Sequence, residues 1–452
     1  MFKQISYFYL DNLSIIMLVL VGFVSLVVGA FSMRYLAGDS MVRPFFTWLV
    51  LLVAAVFCFV LADNLILFWA GWTASNVLLV RLIVHKKQWE AARQSGILAF
   101  KNCAIGSVAL SVAFAALYVA TGSLSIQEII RSQVAGGTLG FALLFLSLAA
   151  LTQSAIFPFH SWLASSLNSP TPVSAIMHAG LVNGGGFLLA RFAPLYIQLP
   201  SALTLLFIIG MATAFIGTLF KLMQSSVKPM LAYSTMGQMG FMVLQCGLGL
   251  FPAAVAHLCW HGLFKAYLFL GSGSAAQERR QDLAYPPSAG SFVLALIFGL
   301  AGAATFAFAS HKDFFAGDTT TFLVGIAWIS GAQLAITILQ KVTLKRLKIA
   351  AIMVPVAGAL YGLSVWGISL LLAGPLAGQL AVQDIMVPQP LGFVHYFSFG
   401  VLVAAWFCIL FWRSSALPAY APNWALKLYV QLINASQPQA KTITSSRNHY
   451  QF

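Results

Sequence analysis

In the stretch AAVAHLCWHGLFKAYLFLGSGS, three ionisable residues recur at a fixed interval, with His257, His261 and Lys265 standing at i, i+4 and i+8. On an α-helix that spacing stacks all three on one face, about 6 Å apart per step. Two imidazoles and an amine in such a column can relay a proton through bridging water. The blander reading is two histidines satisfied by core carbonyls and a lysine that snorkels to the interface, but Lys265 lies deep within its apolar run. A second constellation is NSPTPVSAIMHAGLVNGGGFLLARFAP, where His178 follows two prolines and precedes a glycine run, with Ser174 one turn before it and Asn183 just beyond. Prolines and glycines there imply an opened or closely packed helix whose freed backbone groups need partners. His178 can titrate near neutral pH or serve as a satisfied structural group, and both readings stay open.

Two further segments interrupt apolar runs. QSAIFPFHSWL carries Gln153 and His160, and ASHKDFFAGD carries Lys312 and Asp313. A surface loop is the alternative for the second. Asp63, Arg81 and Lys101 lie near the ends of runs or inside them, where snorkelling or a local pair is at least as good a reading as transport. No phosphate-binding glycine loop, dinucleotide fingerprint, CxxC or Cys/His cluster occurs, so neither a cofactor nor a metal is expected in this chain.

These residues sit in a chain that is 60% hydrophobic and 8% charged, against roughly 25% charge in a soluble domain. That composition predicts an all-α integral membrane protein. The cysteines, Cys58, Cys103, Cys246, Cys259 and Cys408, all fall in apolar stretches and read as small core residues. A net charge of +14 in a soluble protein would suggest nucleic acid, but here the basic residues stand in short loops, so nucleic acid is excluded as a partner and the bilayer is expected instead. Apolar runs near 11–31, 44–62, 64–84, 96–120, 138–157, 171–194, 201–223, 228–248, 252–273, 289–309, 322–340, 349–373 and 393–412 predict about thirteen transmembrane helices. The first run lacks a small-residue cleavage site and reads as a span.

The 24 Lys and Arg residues test this segmentation. One side collects Arg34, Arg43, Lys86, Lys87, Arg93, Lys221, Lys228, Arg279, Arg280, Lys341, Lys345, Arg346, Lys348, Arg413, Lys427, Lys441 and Arg447. The other receives Lys3, Arg131, Arg191 and Lys312. The split predicts an outside amino terminus and a cytoplasmic carboxyl terminus in the cell inner membrane. Residues 1–412 form the transmembrane domain and 413–452 a cytoplasmic tail, disordered after Ala435. Because the two interruptions lie five runs apart, their helices run in opposite directions, as two inverted five-helix repeats over roughly 44–194 and 201–340 with discontinuous helices would require.

Taken together, LADNLILFWAGW, FPFHSWL, SPTPVSAIMHAG, VKPMLAYSTMGQMGFM and HGLFKAYLFLGSGS resemble the antiporter-like, proton-conducting membrane subunits of respiratory complex I and Mrp antiporters, over most of residues 30–320. Within that superfamily, HAGLVNGGGFLLARFAP and FMVLQCGLG are more similar to DabB, the membrane subunit of bacterial inorganic-carbon accumulation complexes. The resemblance implies an ion path through His178, Lys228, His257, His261, Lys265, Lys312 and Asp313. It also implies a DabA-type partner, a large cytoplasmic zinc protein related to carbonic anhydrases, with the zinc in the partner. Two departures stand out, since the family's usual glutamate after GW is Thr73 and its lysine before SAQ is Gln153. The pattern of two amino-terminal helices and a long lateral helix is also missing. The expected function is therefore a non-enzymatic, ion-conducting, by expectation proton-conducting, subunit that couples the proton motive force to bicarbonate or CO2 uptake. A cation/proton antiporter or complex I-like subunit, and a non-conducting anchor for the partner, are the alternatives.

Overall fold

The computed structural model describes residues 7–273, 286–373, 388–412 and 423–443. Lys3, Arg279, Arg280, Arg413 and Arg447, used in the charge segregation, lie outside the described residues, as do 413–422 and 444–452 of the tail. Every regular element among the described residues is a helix, and extended chain pairs only in isolated bridges such as Phe8 with Ala62. The chain runs through α1 (Asn12–Tyr35), α2 (Val42–Leu61), α3 (Leu65–Ile83), α4 (Glu90–Thr121) and α5 (Gly136–Gln153). A broken helix follows, made of α6 (Thr171–Ala179) and α7 (Gly184–Arg191). Next come α8 (Pro200–Leu222), α9 (Val227–Gly247), α10 (Phe251–Leu270), α11 (Ala289–Ala309), α12 (Thr319–Ile338), α13 (Leu344–Ala373), α14 (Phe393–Trp412) and the short α15 (Asn423–Ala435).

Twelve helical segments among the described residues, α6 and α7 counting as one, are long and apolar enough to cross a membrane. The chain is a multi-pass membrane protein. The run expected at 228–248 folds as α9 but is absent from those twelve, because Lys228, Ser234, Thr235, Gln238 and Gln245 lower its hydropathy. Close packing on α8 covers it. A Cβ on Gly210 would stand 2.3 Å from the Leu244 nitrogen, and one on Gly240 2.5 Å from the Ala214 nitrogen, so the two backbones touch where neither residue has a side chain.

The span made of α6 and α7 is buried over its whole length, unlike any of the other eleven. Pro172 starts α6, and the chain turns at Gly180 through a 3-10 segment, Leu181–Asn183, before α7 resumes. The glycine run then lets α7 press on its neighbours: a Cβ on Gly185 would meet the Ala150 carbonyl oxygen at 2.3 Å, and one on Gly186 the Met242 sulfur at 2.8 Å. At its far end, Arg191 is buried and forms an ion pair with Asp11, the residue that caps α1. Sequence reading had put Arg191 among loop cations.

The two interruptions share one backbone construction. After α5, Ala155 N donates to Thr152 O (3.4 Å) and Ile156 N to Leu151 O (3.0 Å), with Ala155 left-handed at φ 52°. After α11, His311 N donates to Phe308 O (3.2 Å) and Lys312 N to Ala307 O (2.9 Å), with His311 left-handed at φ 52°. This is the Schellman closure, which caps the last carbonyls of a helix and stops it. Ala155 and His311 are the two non-glycine residues of positive φ among the described ones. The likeness falls at the two positions on which the repeat expectation rests.

The tail carries more structure than its composition suggests. Residues beyond Ala435 were expected to be disordered, yet Tyr233 Oη donates to Ser436 O (2.8 Å), Asn168 Nδ2 to Thr442 O (2.6 Å) and Gln439 N to Ser165 Oγ (3.2 Å). Polar residues that look solvated in sequence are here matched to polar groups at the ends of α8, α9 and the 165–168 loop.

Candidate functional site

Pro252 opens α10 near its first turn, where its missing N–H costs nothing. The face bearing His257, His261 and Lys265 turns inward, and Lys265 is 1% exposed. Its ammonium donates to Leu231 O on α9 at 3.2 Å. The same carbonyl accepts from Thr235 Oγ1 at 3.1 Å, and Thr235 Oγ1 lies 3.0 Å from His178 Nδ1 on α6. Three helices are thus linked through this carbonyl and the Thr235 hydroxyl. The His178 ring stacks on Phe269 with centroids 4.3 Å apart, which fixes the imidazole plane. One turn up α10, the His257 and His261 rings lie nearly parallel at 6.1 Å. Both ring nitrogens of His261 and Nε2 of His257 have no hydrogen-bond partner among the described residues.

Toward the basic end, Lys228 Nζ reaches Ser169 O at 3.5 Å, and Ser169 Oγ lies 3.0 Å from Ser174 Oγ on α6, one turn from His178. The polar groups therefore form a succession from Lys228 through Ser169, Ser174, His178, Thr235 and Lys265 to the two histidines of α10. Lys312 is buried in the turn after α11, where burial pushes its ammonium down to about 8 against the opposing pull of Asp318. Asp313 is exposed, and its Oδ1 accepts from Phe315 N at 3.1 Å in a local turn. Among the described residues no hydrogen bond joins Lys312 or Asp313 to the α10 column.

Thr73 and Gln153 have neutral duties. Thr73 Oγ1 donates to Ser107 Oγ at 3.2 Å. Gln153 Nε2 donates to Leu181 O at 3.2 Å, and Ser154 Oγ to Val182 O at 2.9 Å, so the end of α5 satisfies carbonyls freed by the break between α6 and α7. Asn183 does the same work on the other side, donating to Ala179 O (2.8 Å) and Leu258 O (3.4 Å). Sequence reading missed Thr235, although it shares a helical face with Lys228 seven residues earlier, and missed the Asp11–Arg191 pair, which no local spacing reveals.

Residues 62–288 match the family model described as NADH:quinone oxidoreductase/Mrp antiporter, transmembrane, and residues 6–46 match that of the amino terminus of complex I chain 5. The probable inorganic carbon transporter subunit DabB1 of Halothiobacillus neapolitanus is 35% identical over 351 residues, which cover 72% of this chain and 63% of that protein. The probable subunit DabB of Bacillus subtilis is 38% identical over 275 residues, 59% of this chain and 54% of the relative. NADH-ubiquinone oxidoreductase chain 5 of Schizophyllum commune is 36% identical over 258 residues, covering 56% and 37%. The match thus spans less than two thirds of each of these relatives. The structure of the Mrp complex from Dietzia sp. DQ12-45-1b shares the fold, with a TM-score of 0.57 at 22% identity over 95% of this chain and 45% of that one.

Proposed function

We propose, from the premise that this chain belongs to the NADH:quinone oxidoreductase/Mrp antiporter membrane family, that it conducts an ion, the proton, and couples the proton motive force to inorganic-carbon uptake. The observation that carries the reading is the linkage of Lys265 through the Leu231 carbonyl and Thr235 to His178, continued along α10 by His261, neither of whose ring nitrogens has a partner among the described residues, and by His257. Ionisable groups at that depth are costly and persist where a charge must pass. The carbon substrate rests on the resemblance to proteins named DabB. The partner in this reading is a DabA-type zinc protein at the cytoplasmic face, with the amino terminus outside the inner membrane, an orientation favoured by the crowding of Lys and Arg on one side. One charge crossing 100 mV yields about 2.3 kcal/mol, enough for nearly a fifty-fold gradient of a neutral species.

Cells co-expressing the chain with such a partner should accumulate radiolabelled inorganic carbon, and a protonophore should abolish the accumulation. Lys265→Ala should lower that uptake at least tenfold while the assembled complex still purifies; unchanged uptake refutes the assignment. A second reading, a non-conducting anchor, is favoured by the neutral bonding of Thr73 and Gln153, which leaves the first half of the bundle without its ion pair. A wild-type protein that binds its partner but passes no current in proteoliposomes selects the anchor.

A further inference from the structure

Buried positive and negative groups do not balance among the described residues. Asp11 and Asp63 are the buried carboxylates, and both are occupied. Arg191 pairs with Asp11, while Asp63 accepts from Ser125 Oγ at 2.7 Å and Gln127 N at 2.9 Å. Lys265 is buried as deeply as Arg191 but has no carboxylate partner among the described residues, only the neutral Leu231 carbonyl. Lys221, itself a cation, lies within electrostatic range of Lys265. An ammonium held away from water without a counter-charge costs several kcal/mol. It also has three N–H donors, of which the Leu231 carbonyl takes one. The unpartnered nitrogens of His261, itself 5% exposed, supply further polar capacity beside it.

We propose that Lys265, with His261 and His178, forms a binding site for a small monovalent anion of the bicarbonate, formate or chloride class. The inference rests on the ion-path reading of these residues and adds the species that balances the lysine. A protonated Lys265 with its anion is a neutral pair, so the bound anion offsets the buried charge for as long as the proton is held there. Phe269 is stacked on His178, and Lys265 reaches α9 directly.

The test is the melting curve of the purified full-length chain in detergent at fixed pH near 7 and constant ionic strength, with sodium gluconate exchanged for bicarbonate, formate or chloride. The expected result is a saturable rise in melting midpoint with the small anions, absent in Lys265→Gln and retained in Lys265→Arg. Larger rises with bicarbonate and formate than with chloride assign a planar oxyanion, and the reverse order a halide. Midpoints equal to those in gluconate, or a rise that survives Lys265→Gln, overturn the proposal. Where Lys265→Gln fails to fold, His261→Asn takes its place and must weaken the anion response at least several-fold. This readout is independent of uptake: an anion response without energised uptake removes the coupling function alone, and energised uptake without an anion response removes the anion site alone.

Discussion

Asp11 and Arg191 are 180 residues apart, yet they make the buried ion pair of the described structure, backed by Ser14 Oγ at 2.8 Å from the guanidinium. Burial alone would raise the Asp11 carboxyl, but Arg191 and the Ser14 amide reverse that and hold it below the ordinary range. Breaking a buried pair from one side strands the other charge at a cost of roughly 3–5 kcal/mol, whereas removing both can be near neutral. Asp11→Asn should therefore sharply lower the melting midpoint of the purified protein, and Asp11→Asn combined with Arg191→Leu should recover most of the loss. Lys312 makes the opposite kind of statement. Its ammonium is pushed down to about 8 from 10.5 by burial, so between those values the folded protein binds fewer protons than the unfolded chain. Stability must then rise with pH across that window. A melting series from pH 8 to 10.5 should show the rise, and Lys312→Met should flatten it.

At the scale of elements, α9 is the informative one. Its hydropathy is too low to identify it as a span, yet its glycines bring it against α8 so closely that its polar groups face protein. Backbone contact supplies the packing that apolar side chains supply elsewhere. Gly210→Leu or Gly240→Leu, each placing a branched side chain where a Cβ already clashes with backbone, should abolish recovery of folded protein from membranes. Gly38→Leu is no fair control because its φ is +85°, whereas Gly29→Leu meets nothing within 4 Å and should be tolerated. The broken α6–α7 helix was legible from its prolines and glycines, but the identity of its partners was not. Gln153 looked like the remnant of an ion pair, and its observed role as a donor to Leu181 O depends on how α5 lies against the break.

For the whole molecule, the asymmetry of Lys and Arg is the feature that bears on function, because it decides which end of the succession from Lys228 to His257 meets the cytoplasm. In a background without native cysteines, Ser123→Cys should react with a membrane-impermeant thiol reagent added to intact cells, and Val342→Cys only after permeabilisation. The reverse pattern would invert the bundle and move the partner's face. The shared fold with the Mrp complex extends over 95% of the chain.

By itself the sequence determined the solvent this chain folds in, nearly all of its spans, the break between α6 and α7 and the column His257, His261 and Lys265. Those properties are local or periodic: apolar runs match the bilayer thickness, and i, i+4 spacing fixes a helix face. Only the tertiary structure decided that Thr235 and the Leu231 carbonyl link His178 to Lys265, that Asp313 points away to a surface turn, and that Asp11 neutralises Arg191 while Lys265 keeps no carboxylate. Each of those outcomes joins separate helices or depends on how a turn is oriented, and the pairing of buried charge is set by which helices pack together, which no spacing within one helix encodes.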